Sequence, residues 1–149
     1  MTTQINDVRQ FLQGCDQDTV RFSMRQAALY TGLQLEELSE KLAVLGLTPW
    51  AEHLDRIGDA FKRGDYDGKF AELSVDSRAG LLDADLDLLW VSAGAALSLG
   101  ADVDLGWNLL TENNMAKIDP VTGKARRNPE TGKIMKPEGH KPPDFKLCF

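Results

Sequence analysis

At 149 residues, with 42% hydrophobic and 27% charged side chains, the chain has the size and composition of one ordinary globular domain. No run approaches the roughly 18 apolar residues of a membrane span, the polar start MTTQINDVRQ lacks the basic-then-apolar order of a signal peptide, and Cys15 and Cys148 cannot make a disulfide framework, so a reducing cytoplasm is expected. The net charge of −6 is uneven: residues 1–116 hold nine Lys/Arg against nineteen Asp/Glu, a balance of −10, and residues 117–149 hold eight against four, a balance of +4. An acidic body argues against non-specific nucleic-acid binding, which depends on basic surface.

In chain order, a short helix is expected from Gln4 to Leu12, ending near Gly14. A long helix, Asp18–Leu45, follows, with Asp18 as N-cap and Gly46 just past its end. Its apolar positions Ala27, Tyr30, Leu38 and Leu42 fall at helical spacing, with Gly32 as an interior flaw. Thr48-Pro49 opens a third helix, Thr48 as cap and Pro49 in the first turn where its missing N–H costs nothing. It runs to Arg63 and stops in Gly64-Asp65-Tyr66-Asp67-Gly68. The fourth helix, Asp76–Leu99, is apolar nearly all round (Leu81, Leu82, Leu86, Leu88, Leu89, Trp90, Val91), which predicts an interior or a subunit interface. Its run Ala93-Gly94-Ala95-Ala96 would let another helix approach closely. The fifth helix starts at Asp102–Asp104 and continues to Lys117. The fold class expected is therefore an all-α bundle of four to five helices over residues 1–117.

Residues 118–149 form a basic tail of another kind. Asp119-Pro-Val-Thr-Gly-Lys124 and Asn128-Pro-Glu-Thr-Gly-Lys133 are two copies of one motif, nine residues apart. Asp or Asn, then Pro, then Gly predicts two turns around a short extended segment, Ala125–Arg127. These Gly-Lys pairs are not a phosphate-binding P-loop, which needs Gly-x4-Gly-Lys-Ser/Thr leading into a helix. A Pro-rich stretch, Lys136–Pro143, follows.

The chemistry-bearing residues are carboxylates. Glu36, Glu37 and Glu40 occupy an arc of about 100° on the second helix, and Asp83 and Asp87 are i,i+4 neighbours in an apolar stretch of the fourth. Like charges so close destabilise a helix, and buried carboxylates are costly unless a cation lies between them. A hard divalent ion such as Mg2+ or Mn2+ resolves both problems. On a solvated face the glutamates would be ordinary surface charge, and Asp85, about 200° from both aspartates, reads as a solvent-facing acid. Trp50, Trp90 and Trp107 read as core or interface, and His53 and His140 as surface residues. A ferritin-like di-iron bundle needs Glu-x-x-His, which is absent, and a Ser or Cys hydrolase lacks a well-placed histidine base.

The segment Gln26–Glu40, with its Glu36-Glu37-x-x-Glu40, resembles the EExxE motif of MazG-like all-α nucleoside triphosphate pyrophosphohydrolases. Leu82–Val91 resembles their second acidic motif, reading DxxxD at Asp83 and Asp87 where the family has ExxD. Asn113-Asn114-Met115-Ala-Lys117-Ile-Asp119 resembles the NMxKxD segment of phage-type members with a turn-rich tail. The gap from Glu40 to Asp83, 42 residues, is longer than usual, with the extra length around Arg56–Phe70. The resemblance implies that Glu37, Glu40 and Asp87, with Glu36 and Asp83 completing the site, hold two or more Mg2+ or Mn2+ ions. Glu36 or Glu37 would activate the water that attacks the α-phosphate, and Asn114 and Lys117 would meet the triphosphate. In the basic tail Lys124 and Arg126 are further phosphate candidates, and with Arg127 they either fold over the site or an adjoining subunit or only neutralise the acidic body. The implied reaction is dNTP plus water to dNMP plus pyrophosphate, by a homodimer or tetramer, in host cytoplasm for a phage protein, with no nucleic-acid or membrane partner. The expected base is a purine, dGTP first, with dUTP or dCTP as alternatives. A helical interaction protein that keeps the fold without the chemistry is the non-enzymatic alternative.

Overall fold

A computed structural model describes residues 3–17, 19–65 and 73–149. The chain is all-α, with helices α1 (Thr3–Gly14), α2 (Met24–Val44), α3 (Thr48–Arg63), α4 (Val75–Leu97) and α5 (Val103–Met115), then a closing 3-10 turn, Phe145–Cys148. The described residues hold no strand, only two isolated antiparallel bridges in the tail. No described helix is long and apolar enough to cross a membrane. The chain divides into two compact units, Arg21–Asp76 and the combination of Met1–Val20 with Ser77–Phe149.

The Arg21–Asp76 unit is built on an α2–α3 hairpin. The N-cap of α2 lies five residues later than expected: it is Ser23, not Asp18, and its hydroxyl accepts from the Gln26 amide at 3.3 Å. Asp18 itself lies outside the described residues. Helix α3 has the expected span, but Thr48 is its first helical residue rather than its cap; Leu47 holds the cap position without a side-chain bond. Gly64, in the left-handed region at φ 82°, ends α3. Of the predicted loop after it, Tyr66–Gly68 lie outside the described residues.

The two helices run antiparallel, because Ser39 meets Ala51 while Gly32 meets Gly58. Their contact face is made of small residues: Ala28, Gly32 and Ser39 on α2, Ala51 and Gly58 on α3, all buried. Gly32 is therefore no flaw. Its missing side chain lets the two backbones touch, and Leu38, expected on the apolar face, is 43% exposed instead. The Ser39 hydroxyl donates to the Ala51 carbonyl at 2.8 Å, which satisfies the one buried polar side chain on this face.

In the other unit, α5 starts as expected, with the Asp102 carboxylate accepting from the Leu105 amide at 2.9 Å. The Asp102 amide donates to the Cys148 carbonyl at 2.8 Å, which fixes the chain end beside α5. Helix α1 is joined to α5 by the Trp107 indole N–H, which donates to the Asp7 carboxylate at 2.9 Å. Both cysteines are buried, and burial pushes the Cys15 thiol up from its ordinary pKa.

Helix α4 differs most from expectation within a single chain. None of its residues is buried, and Leu82, Leu86, Trp90 and Val91 are 55–81% exposed. The interior position predicted for it is not the one it takes. Trp50, at 67% exposure, is likewise outside any core of this chain, and only Trp107 is half-buried.

Candidate functional site

The two predicted acid sets belong to different units: Glu36, Glu37 and Glu40 to the hairpin, Asp83 and Asp87 to the unit containing α4. Among the described residues, no three His, Cys, Asp or Glu side chains gather closely enough to hold a metal.

On α2 the three glutamates are not equivalent. The backbone crossing at Gly32 and Gly58 sets which one faces α3: a Cβ on Gly58 would lie 3.5 Å from the Glu36 amide nitrogen. One turn further along α3, Lys62 Nζ stands 3.1 Å from Glu36 Oε2 and 2.9 Å from Asp59 Oδ1. Glu36 is thus half-buried and ion-paired, whereas Glu37 and Glu40 are exposed. Hydrogen bonding to Asp59 raises the Lys62 pKa first, with Glu36 adding to it. The same bond from Lys62 holds the Asp59 carboxyl below its ordinary value. Sequence periodicity missed Lys62 and Asp59 because their role depends on which helix lies opposite. One signal was available: Lys62 follows Gly58 by four residues, as Glu36 follows Gly32.

On α4, Asp76, Gly80, Asp83, Asp87 and Gly94 share one stripe about 60° wide at 100° per residue. Leu81, Leu82, Leu86, Leu88 and Leu89 cover the opposite side, with Asp85 among them. Asp83 and Asp87 are exposed rather than buried in apolar surroundings, so desolvation does not force a cation between them. Their mutual repulsion remains, one helical turn apart. No described cation pairs with Asp83, Asp87 or Glu40.

The four residues expected to meet phosphate all have partners within their own unit. Lys117 Nζ donates to Asn114 Oδ1 at 3.1 Å and lies 5.4 Å from the Phe11 ring centre. Lys124 is ion-paired with Asp16. Arg126 Nη1 stands 2.9 Å from Asp119 Oδ2, while its Nε is buried without a hydrogen-bond partner. His140 is not a free surface residue; it is half-buried, with Nε2 3.0 Å from Asn113 Oδ1. His53 is exposed beside Arg56.

These contacts follow from the duplicated turns. In each, the Asp119 or Asn128 Oδ1 accepts from the amides two and three residues on, at 2.9 and 3.1 Å for Asp119 and 2.9 Å twice for Asn128. Gly123 and Gly132 take φ 68° and 70°, as the motif predicts. The segment between the turns then closes the end of α1: the Ala125 amide donates to the Gly14 carbonyl and Arg127 Nη2 to the Cys15 carbonyl, both at 2.8 Å. Cations at a helix C-terminus are favourably placed against its dipole. Lys124 and Arg127 accordingly have a structural occupation at the end of α1.

No family model matches the chain, and no curated protein or solved structure is significantly similar to it.

Proposed function

We propose that the chain is a metal-dependent nucleoside triphosphate pyrophosphohydrolase that converts a dNTP and water to dNMP and pyrophosphate. Glu37, Glu40, Asp83 and Asp87 would hold two or more Mg2+ or Mn2+ ions. The observation that carries this reading is the exposed Asp83–Asp87 pair, one turn apart on a stripe of acids and glycines with no described cation beside it. A divalent ion turns the repulsion of such a pair into attraction, and oxygen-only donors suit Mg2+ or Mn2+. Exposed Glu37 and Glu40 supply the same donor type on α2. Metal held by these carboxylates would neutralise triphosphate charge and polarise the phosphorus under attack. Lys117, Lys124 and Arg126 would reach phosphate oxygens only by exchanging their present partners Asn114, Asp16 and Asp119.

Motif resemblance supplies the rest: a purine deoxynucleotide, dGTP first, with dUTP or dCTP next, and a homodimer or tetramer. The exposed leucines of α4 support self-association, since an apolar surface of that extent on one helix is costly in water. The same leucines favour the second reading, a helical interaction protein without catalysis.

Pyrophosphate release from each dNTP and NTP, with Mg2+, Mn2+ or EDTA, separates the two. Metal-dependent release with one preferred base supports the enzyme and names its substrate. No release from folded protein removes the enzyme and leaves the interaction protein.

A further inference from the structure

We propose that α4 is an interface between two copies of this chain, packing antiparallel on α4 of a second copy along a seam of Ala79, Leu82, Leu86, Leu89, Ala93 and Ala96. The inference rests on the self-association part of the functional reading above and not on turnover.

The helix needs a cover. None of its 23 residues is buried, and no other described helix of its own unit packs extensively against it. A helix in water draws most of its stability from packing an apolar face, not from propensity. The six seam residues recur at intervals of three, four, three, four and three, the spacing that keeps one stripe facing a neighbouring helix. Leu82, Leu86 and Leu89 on the seam are 50–59% exposed, with Trp90 at 81% and Leu97 at 64% along one border. The apolar area these side chains offer is on the order of 800 Å2, which is what each partner of a standard stable interface buries.

The helix itself supplies the matching surface. All its charges, Asp76, Arg78, Asp83, Asp85 and Asp87, lie in its N-terminal half, and residues 88–97 carry none. A parallel pair would bring the aspartates of both copies to the same level, and such like-charge juxtaposition is costly. An antiparallel pair lays each acidic half along the uncharged half of the other. Leu82 then fills the space left by Ala93 of the second copy, Leu86 meets Leu89, and Ala79 meets Ala96. Arg78 comes to lie beside the last carbonyls of the second copy's α4, where a cation is favourably placed. One twofold axis through the middle of the helix makes each of these contacts twice, which is the self-complementarity of a closed dimer.

The test is cysteine trapping on the full chain, with sedimentation velocity of wild type alongside. Leu82→Cys and Ala93→Cys chains are oxidised separately, and again after mixing one to one and subunit exchange. Circular dichroism confirms that each variant is folded. The native Cys15 and Cys148 are buried, and oxidised wild type measures their background. Wild type is expected to sediment as a dimer or an assembly of dimers. The mixture is expected to give roughly fivefold more disulfide-linked dimer than either variant alone, because only Leu82 facing Ala93 brings the two sulfurs within bonding reach. Linking by each variant alone with no gain on mixing means parallel helices and overturns the proposal. A dimeric wild type with no linking in any sample puts the interface elsewhere and overturns it as well. A wild type that stays monomeric at high micromolar concentration overturns it outright; protection of both introduced thiols from a thiol reagent would then show that the rest of the chain covers α4.

Discussion

Gly32 and Gly58 face each other across the α2–α3 hairpin so closely that a Cβ on Gly32 would stand 2.7 Å from the Gly58 carbonyl oxygen, and one on Gly58 2.9 Å from that of Gly32. Alanine favours a helix interior over glycine by about 1 kcal/mol. Steric overlap with a backbone oxygen outweighs that gain, because no rotamer change can relieve it. Gly32→Ala and Gly58→Ala are each expected to destabilise the protein by about 1–3 kcal/mol net. Chemical denaturation measures this; an unchanged or raised midpoint would mean the helices do not touch there.

Turnover should depend on exposed carboxylates that have no structural work to do. Glu40→Gln and Asp87→Asn are expected to leave the helical circular dichroism and melting temperature near wild type and to abolish metal-dependent pyrophosphate release. Near-normal release by either folded variant would remove that residue from the metal site.

Acid should loosen the tail. Asp119 is held below its ordinary carboxyl pKa, first by the Thr122 and Val121 amides and then by Arg126. Asp16 is lowered by its bond to Lys124. A carboxyl with a depressed native pKa binds its proton less readily folded than unfolded. Its contribution is therefore complete above the unfolded pKa, about 3.9, and disappears as pH falls through the lower native value. Asp119→Asn keeps the turn acceptor, as Asn128 shows naturally, but removes the titration. A shallower loss of stability as pH falls through the acid range is expected for this variant; a curve superimposable on wild type would contradict the assignment.

The alkaline side should be governed by Lys62. Its pKa is raised by Asp59 and Glu36, so its contribution is complete below the unfolded value of about 10.4 and is lost as pH rises through the higher native one. Lys62→Met is expected to be less stable than wild type at neutral pH and to converge on it above that range. Parallel curves to the highest accessible pH would argue against the ion pair.

Association should run through α4. Leu86, 55% exposed, lies among the leucines opposite the acid stripe. Leu86→Glu is expected to lower the association state in sedimentation velocity and to spare the helix content. A wild-type chain that stays monomeric at high micromolar concentration would dispose of this use of the helix.

Elements whose ends are set by local chemistry were legible in the sequence. Pro49 and Gly64 bracket α3 at its observed limits, Asp102 opens α5, and the two turn motifs fold as their residue types require. The start of α2 was misplaced because Asp18 and Ser23 are both competent caps, and only the course of the chain decides between them. Its packed face was missed for a different reason. Ala28, Gly32 and Ser39 carry little hydrophobic signal, and their value lies in what they permit an opposing backbone to do. The same tertiary dependence hid Lys62. The acid pairs are visible as spacings, but the exposure of Asp83 and Asp87 is not, because apolar neighbours in sequence need not be apolar surroundings in space.

The tail turns also obey a translation. The Arg126 amide donates to the Lys117 carbonyl, and nine residues later the Met135 amide donates to the Arg126 carbonyl, at 2.8 and 2.9 Å. Each motif closes on its own atoms and hands the chain on in the same register, like successive stitches in one seam. Insertion of a further nine-residue step after Lys133 would therefore lengthen the stretch before the closing 3-10 turn by one whole stitch, without unpicking the knot that Lys124, Ala125 and Arg127 tie around the end of α1.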